Sequence, residues 1–317
     1  MDGMASPALA DRLRIGTAGF SYPDWRGVFY PRGAPSLAYY ARFFDTIEID
    51  RTFYGPPRPE ESAGWLAAVS GRPGFLFAAK VWQAFTHEKP APAGETELAR
   101  YLDGIAPLAE AGRLGALLLQ FPHFFVASPK NQERLARLVE AFSDAPRAFR
   151  GASPCGASAP RIPLVVEVRD ISWTNDRPLR ELERLGVSLA AIDQPQGRRT
   201  IPPTAAFTVG RVGYVRLHGR NAAAWFTRGA PRDEKYDYLY DAGELGEWKE
   251  RIESLAANAD RVFVIANNHF RGKAPANALE LRSMLLGERP PAPACLVEAY
   301  PEIAPYVEVE GQRELFS

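Results

Sequence analysis

Histidine and cysteine are scarce in this chain of 317 residues, with four of the first and two of the second. Cys155 and Cys295 both lie in Pro/Ala/Gly-rich connecting stretches. Two such cysteines exclude a disulfide scaffold and a cysteine-rich zinc site. Long apolar runs are missing too. Nothing approaches the ~18 residues that a membrane helix needs, and Met1 to Arg14 has no apolar stretch of signal-peptide length. A cytoplasmic protein with no membrane partner is the expectation. An excess of either charge is also lacking, because 38 Lys and Arg balance 38 Asp and Glu. No global field draws in nucleic acid, so a small anionic ligand is favoured over a long polymer, and any anion must be held by a local cluster.

What is present is a core and a rhythm. Hydrophobic residues make up 46% of the chain and charged residues 24%, the balance of a globular domain. Short runs rich in Val, Ile and Leu fall at Leu13–Ala18, Thr46–Asp50, Phe75–Lys80, Ala116–Phe121, Leu164–Arg169, Val187–Asp193, Val212–His218 and Arg261–Asn267. Most are apolar on both faces, as buried parallel strands are. Helical stripes separate them, such as Leu98, Tyr101, Leu102, Ile105 and Leu108, or Leu245, Trp248, Ile252 and Leu255. Between Gln194 and Gly210 no stripe is visible. This alternation predicts an α/β fold, a single TIM-type (β/α)8 parallel barrel whose sixth unit is degenerate. The barrel is expected over 13–287, after a disordered or extended segment 1–12 and before a C-terminal tail 288–317.

Active sites of such barrels sit at the carboxyl ends of the strands, and here those ends are polar. Strand two ends in Glu48 and Asp50, strand three in Lys80 and strand four in Gln120. Strand five carries Glu167 and Arg169, two apart and so on one face. Asp193 closes strand six; Arg216 and His218 share a face of strand seven, with Arg220 after them. Asn267, Asn268 and His269 close strand eight. Buried charges need partners, so Glu167 is expected to pair with an arginine and Asp193 with Lys80 or an arginine. Such pairs can plug the barrel mouth as a structural ring, but polar groups at nearly every strand end point to a ligand.

Six segments in order carry a resemblance. IGTAGFSYPDWRGVFYP (Ile15–Pro31), IEIDRTFYGPP (Ile47–Pro57), LLLQFP (Leu117–Pro122), VEVRDISW (Val166–Trp173), YVRLHGRN (Tyr214–Asn221) and NNHFRGKAPANAL (Asn267–Leu279) resemble the family catalogued as domain of unknown function 72, the YecE-like family. The likeness spans about Ile15 to Leu286. It implies a TIM-type barrel independently of the strand count, and it implies no settled activity. The family fold has been likened to sugar isomerases and barrel endonucleases, an analogy of fold alone. Asp50 departs from the asparagine common in the family and adds a charge there.

Several sites compete. The loop Phe270, Arg271, Gly272 and Lys273 leads into a helix, where backbone N–H groups can receive an anion, with Arg216 and Arg220 next to it. Glu167, His218, Asp193 and Lys80 are the groups suited to acid–base or nucleophilic work. Tyr54, Gln120, Arg169, Trp173, Arg216, Arg220, Asn268, His269 and Arg271 are read as ligand contacts. Glu48, Asp50, Glu167, Asp193, His218 and His269 are metal-ligand types, but no local motif groups them, so no metal residue is assigned and a divalent cofactor is not the favoured reading. Aromatics between Gly219 and Asp241, including Trp225, Phe226 and Tyr236, can stack on bases or sugars or pack that segment on the rim.

The chain ends in GQRELFS. Gln312, Leu315 and Phe316 have the spacing of the peptide that docks on the bacterial sliding clamp, unless that tail packs on its own domain. The leading expectation is an enzyme, of hydrolase or isomerase type, acting on a phosphate-bearing or sugar-like ligand. The alternative is a non-catalytic nucleotide or nucleic-acid binding module tethered to the clamp.

Overall fold

Buried parallel strands need helices on their outer face, and the chain alternates the two almost without exception. The computed structural model describes residues 7–31, 35–87, 94–144, 162–203 and 212–310. Nine strands lie in one parallel sheet: β1 (Leu13–Ala18), β2 (Thr46–Ile49), β3 (Leu76–Lys80), β4 (Leu114–Gln120), β5 (Leu164–Glu167), β6 (Ser188–Leu189), β7 (Ala191–Asp193), β8 (Val212–Leu217) and β9 (Arg261–Ala266). Their order is β6-β5-β4-β3-β2-β1-β9-β8-β7. The two ends of this sheet are consecutive in the chain, with only Ala190 between them, so the sheet curls into a nearly closed barrel.

The strand expected at Val187–Asp193 is thus divided in two, and nine strands stand where eight were expected. At the break, Ala190 N–H donates to Val166 O at 2.9 Å, while β6 pairs with β5 and β7 with β8. One short run serves two neighbours and satisfies each over only two or three residues. In the crossover that follows, residues 194–203 hold no helix and residues 204–211 lie outside the described set.

The predicted stripes are the buried faces. Tyr101, Leu102, Ile105 and Leu108 are the inner side of helix Glu95–Glu110, and Leu245, Trp248, Ile252 and Leu255 that of helix Ala242–Asn258. Asp241 opens the latter as its cap, accepting from Glu244 N at 2.8 Å. Helix Pro59–Ala68 has no clear apolar stripe in sequence; it packs on helix Glu95–Glu110. There Gly104 leaves room for the chain to pass, since a Cβ on it would sit 2.1 Å from Pro57 O. We expect Gly104→Ala to push the two segments apart and cost about 2 kcal/mol, read as a lower urea midpoint at unchanged slope. An unaltered midpoint would show that the helix shifts freely.

The described segments that flank the barrel are folded. Pro7–Arg12 form a short helix rather than an extended lead-in. Residues 288–310, expected to be tail, fold against the barrel. Pro291–Ala292 pair with Glu308–Val309, and Leu296, Ile303 and Val307 are buried. Among the described residues, no helix is long and apolar enough to cross a membrane.

Candidate functional site

Alternation along each strand sends every second side chain into the barrel. On β8 these are Tyr214 and Arg216, followed by His218; Glu48 comes from β2, Gln120 from β4 and Glu167 from β5. They meet. Arg216 Nη2 donates to Glu48 Oε1 at 2.7 Å, and Arg216 Nη1 donates to Glu167 Oε2 and, at 3.3 Å, to Gln120 Oε1. Tyr214 Oη donates to Glu48 Oε2 at 2.8 Å. Arg169 stands above, giving Nε and Nη2 to Glu167 Oε1 at 3.1 and 3.0 Å. The result is a chain of alternating charge, Glu48, Arg216, Glu167, Arg169, rising from the barrel interior to its mouth.

Glu167 is fully buried, and burial alone would raise its pKa. Arg216, His218 and Arg169 outweigh that and hold it well below the usual carboxylate range. Burial likewise opposes the charge of Arg216, but Glu167 and Glu48 fix its proton more firmly than usual. In His218, burial wins over the attraction of Glu167 and pushes the pKa down to about 3, so the imidazole is neutral. Asn267 Nδ2 donates to His218 Nδ1 at 2.8 Å. This leaves the ring proton on Nε2, which lies 3.4 Å from Glu167 Oε1.

The remaining expected residues divide. Lys80 pairs with Asp50 at 2.7 Å, and its ammonium lies 4.1 Å from the centre of the Phe53 ring. Asp193 does not meet Lys80. It pairs in register with Leu217, whose neighbour Arg216 points inward, so Asp193 faces outward. There it accepts from Trp248 Nε1 at 2.8 Å and from Arg220 Nε at 2.9 Å. Arg220 also bonds Glu244 Oε1 at 2.8 Å. Arg216 and Arg220 therefore do not flank the loop after β9, because carboxylates elsewhere claim both.

That loop is already filled by the protein's own acids. Arg271 N donates to Asp24, and Lys273 Nζ pairs with Asp237. Asn268 is buried and donates Nδ2 to Tyr238 O at 2.9 Å and to Asn277 Oδ1 at 2.8 Å. Asn277 in turn holds both backbone groups of Tyr240. This pair pins the segment 219–241 rather than facing an open space. His269 stacks on Tyr22, with ring centres 4.4 Å apart. Trp173 is buried, stacked on Phe125 and donating Nε1 to Phe125 O at 2.7 Å, so it packs a loop instead of lining a pocket. Tyr54 is exposed beside Phe53. Among the described residues, no three His, Cys, Asp or Glu are grouped to hold a metal ion.

The open space lies over β4, β5 and the crossover after β7. A cavity of about 1030 Å³ is floored by Gln120 and Arg169 and walled by loops, with His87, His123, Gln194, Arg198, Arg199 and Lys235 among its polar lining and Phe124, Trp225, Phe226 and Tyr236 among its rings. Arg169 lies under the Trp225 ring at 5.3 Å. Arg199 is paired with Asp170 at 2.9 Å. In His87, burial, with Lys80 and Arg169 close by, pushes the pKa down to about 4. Of the expected ligand contacts, only Gln120 and Arg169 line this cavity. His87, His123 and the Arg198–Arg199 pair carry no periodicity or strand-end position in sequence, and only the dibasic pair is a visible signal. Gln312, Leu315 and Phe316 lie outside the described residues.

The family described as protein of unknown function DUF72 matches residues 14–297. UPF0759 protein YunF of Bacillus subtilis is 25% identical over 287 residues, covering 86% of this chain and 94% of that protein. A crystal structure of a DUF72 family protein from Thermotoga maritima superposes with a TM-score of 0.72 at 31% identity, over 86% of this chain and 99% of that one. A DUF72 family protein from Enterococcus faecalis gives a TM-score of 0.73 at 27% identity, over 87% and 96%. With the family match running from β1 past β9 and the barrel superposing over most of its length, this chain belongs to the DUF72 family.

Proposed function

We propose that the chain is an enzyme that binds a phosphate-bearing or sugar-like ligand in the cavity over β4 and β5. The observation that carries this reading is Arg169. Glu167 grips two of its N–H groups and Trp225 covers its face, so the guanidinium is fixed before any ligand arrives. A pre-positioned cation at a roomy, cation-rich cavity stabilises an anion without reorganising. Glu167 and His218 form the acid–base pair of this reading, the first ionised and the second neutral with its proton on Nε2. Lys80 and Asp193, each held by an opposite charge, support the mouth instead. The same reading takes β6 and β7 as one broken strand, making the barrel eight-stranded with a degenerate sixth unit, spanning 13–287 as one domain.

The test is calorimetric titration of sugar phosphates and nucleotides into wild type and Arg169→Gln. Losing a charge-assisted contact costs about 1.5–3 kcal/mol, so affinity should fall roughly ten- to a hundredfold. His218→Asn should abolish turnover of whichever phosphate ester binds while keeping its affinity. Equal binding by Arg169→Gln would overturn the assignment of the cavity. A second reading, binding without chemistry, is favoured by the rings at the cavity mouth. It predicts that His218→Asn changes nothing measurable and that affinity falls with salt.

A further inference from the structure

We infer that the ligand carries a flat ring beside its phosphate: a nucleoside phosphate, with its base against Phe124 and Phe226 and its phosphate toward Arg169 and Lys235. This rests on the phosphate-binding reading above and narrows it.

Exposure is the first support. Among the described residues only four large hydrophobic side chains are exposed, and two of them, Phe124 at 51% and Phe226 at 57%, line this one cavity. They come from different loops, after β4 and after β8. Large rings left open to water at the mouth of a polar cavity mark a contact surface. Phe226 is backed by Gly197, where a Cβ would meet its ring at 3.1 Å, so the ring is held from behind. Phenyl rings paired with arginines stack nucleobases of any identity.

Gln194 is the second support. The residue is 1% exposed, it lines the cavity, and its Nε2 has no hydrogen-bond partner among the described residues. A buried amide donor without an acceptor is rare in a folded protein, and an acceptor arriving with a ligand in this cavity would satisfy it. A base carbonyl, a ring nitrogen or a phosphate oxygen would serve. The third support is size: about 1030 Å³ lies at the top of the range for small-molecule pockets and is more than a bare sugar phosphate needs. Arg198 and Lys235 add further positive charge to the same lining, which suits a phosphate-bearing ligand.

A free nucleotide and a nucleotide within a strand share this chemistry. Titrating the full chain with adenosine monophosphate, ribose 5-phosphate and a short oligothymidine separates them. The nucleotide should bind about tenfold or more tightly than ribose 5-phosphate, the gain from one stacked base. Phe124→Ala combined with Phe226→Ala should erase that gain and leave ribose 5-phosphate binding within about twofold; both rings are surface-exposed, so the fold tolerates the change. Oligothymidine far tighter than the monophosphate, with a steep salt dependence, assigns a strand; equal affinity assigns the free nucleotide. Ribose 5-phosphate binding as tightly as the nucleotide, or a double variant that keeps full nucleotide affinity, overturns the inference while the phosphate reading stands. No binding of any of the three overturns both.

Discussion

Glu167→Gln should lower the stability of the folded chain by about 3–5 kcal/mol, a drop visible as a much lower urea midpoint at unchanged slope. Glu167 is wholly buried and answers two arginines at once. Glutamine keeps the volume but offers one neutral acceptor, so Arg216 retains only Glu48 as a full counter-charge and Arg169 loses its anchor. Removing one partner of a buried ion group leaves an uncompensated charge, and that is where the large cost arises. Replacing Glu48, Arg216 and Glu167 together by apolar residues of similar size should recover part of the loss, because no charge of the inner cluster is left buried without a partner and only Arg169, at the mouth, loses its counter-charge. The triple variant should still fail to bind phosphate esters, since Arg169 would be loose. The pH dependence has a definite sign. The folded pKa of Glu167 lies below its unfolded value, so its contribution is complete above the unfolded pKa and disappears as pH falls through the folded one. A cost below about 1 kcal/mol for Glu167→Gln would mean that water or a shifted backbone already screens the cluster.

Residues two apart on a strand were legible as pairs, and residues at the end of a doubly buried strand were not. Glu167 with Arg169, and Arg216 with His218, share faces because the strand period is two, and each pair is found together around the same buried carboxylate. Asp193 shows the limit. Its strand is apolar on both faces, so the sequence holds no sign of which face is the lumen, and a shift of one residue moves a side chain from inside to outside. The expected strand-end position was right and the direction was opposite. Trp173 and Asn268 failed for another reason: both lie at the mouth, but loop packing takes the Trp173 indole N–H and a side-chain amide relay takes the Asn268 Nδ2 group. The cavity itself is built from loops after β3, β4, β5, β7 and β8, and loops have no period from which convergence can be read. His87 and His123 were therefore invisible until the chain was folded. The loop after β9 looks like an anion cradle in sequence because its own acids come from other segments: Asp24 accepts from the Arg271 backbone N–H, and Asp237 pairs with Lys273.

Glu280→Gln should make the chain more stable, by a gain that opens above about pH 4.5 and is complete above about pH 7. Glu280 lies on the inner side of helix Lys273–Leu286, where, among the described residues, its side chain accepts a long hydrogen bond of 3.5 Å from Asn277 Nδ2. Burial, joined by repulsion from Glu302 and Asp241, pushes its pKa up to about 7 from the ordinary 4.5, against the weaker pull of Asn277. Because the folded pKa is the higher one, folding takes up a proton here. The stabilising, protonated form persists below the unfolded pKa, and its advantage is lost as pH rises through about 7. The span corresponds to about 3 kcal/mol at most. Glutamine cannot ionise, so the difference between variant and wild type should be flat below about pH 4.5, should grow between there and 7, and should level off above. Taking the difference between the two proteins cancels the opposite trend set by Glu167, which both retain. Asn277 also holds Tyr240 and Asn268, so an ionised Glu280 competes for the amide that pins the segment 219–241 to the barrel. Hydrogen exchange of the Tyr240 amide should accordingly quicken with pH in wild type beyond the intrinsic chemical rate, and follow that rate alone in Glu280→Gln. A stability difference independent of pH would mean that Glu280 is already neutralised by a partner or reached by water.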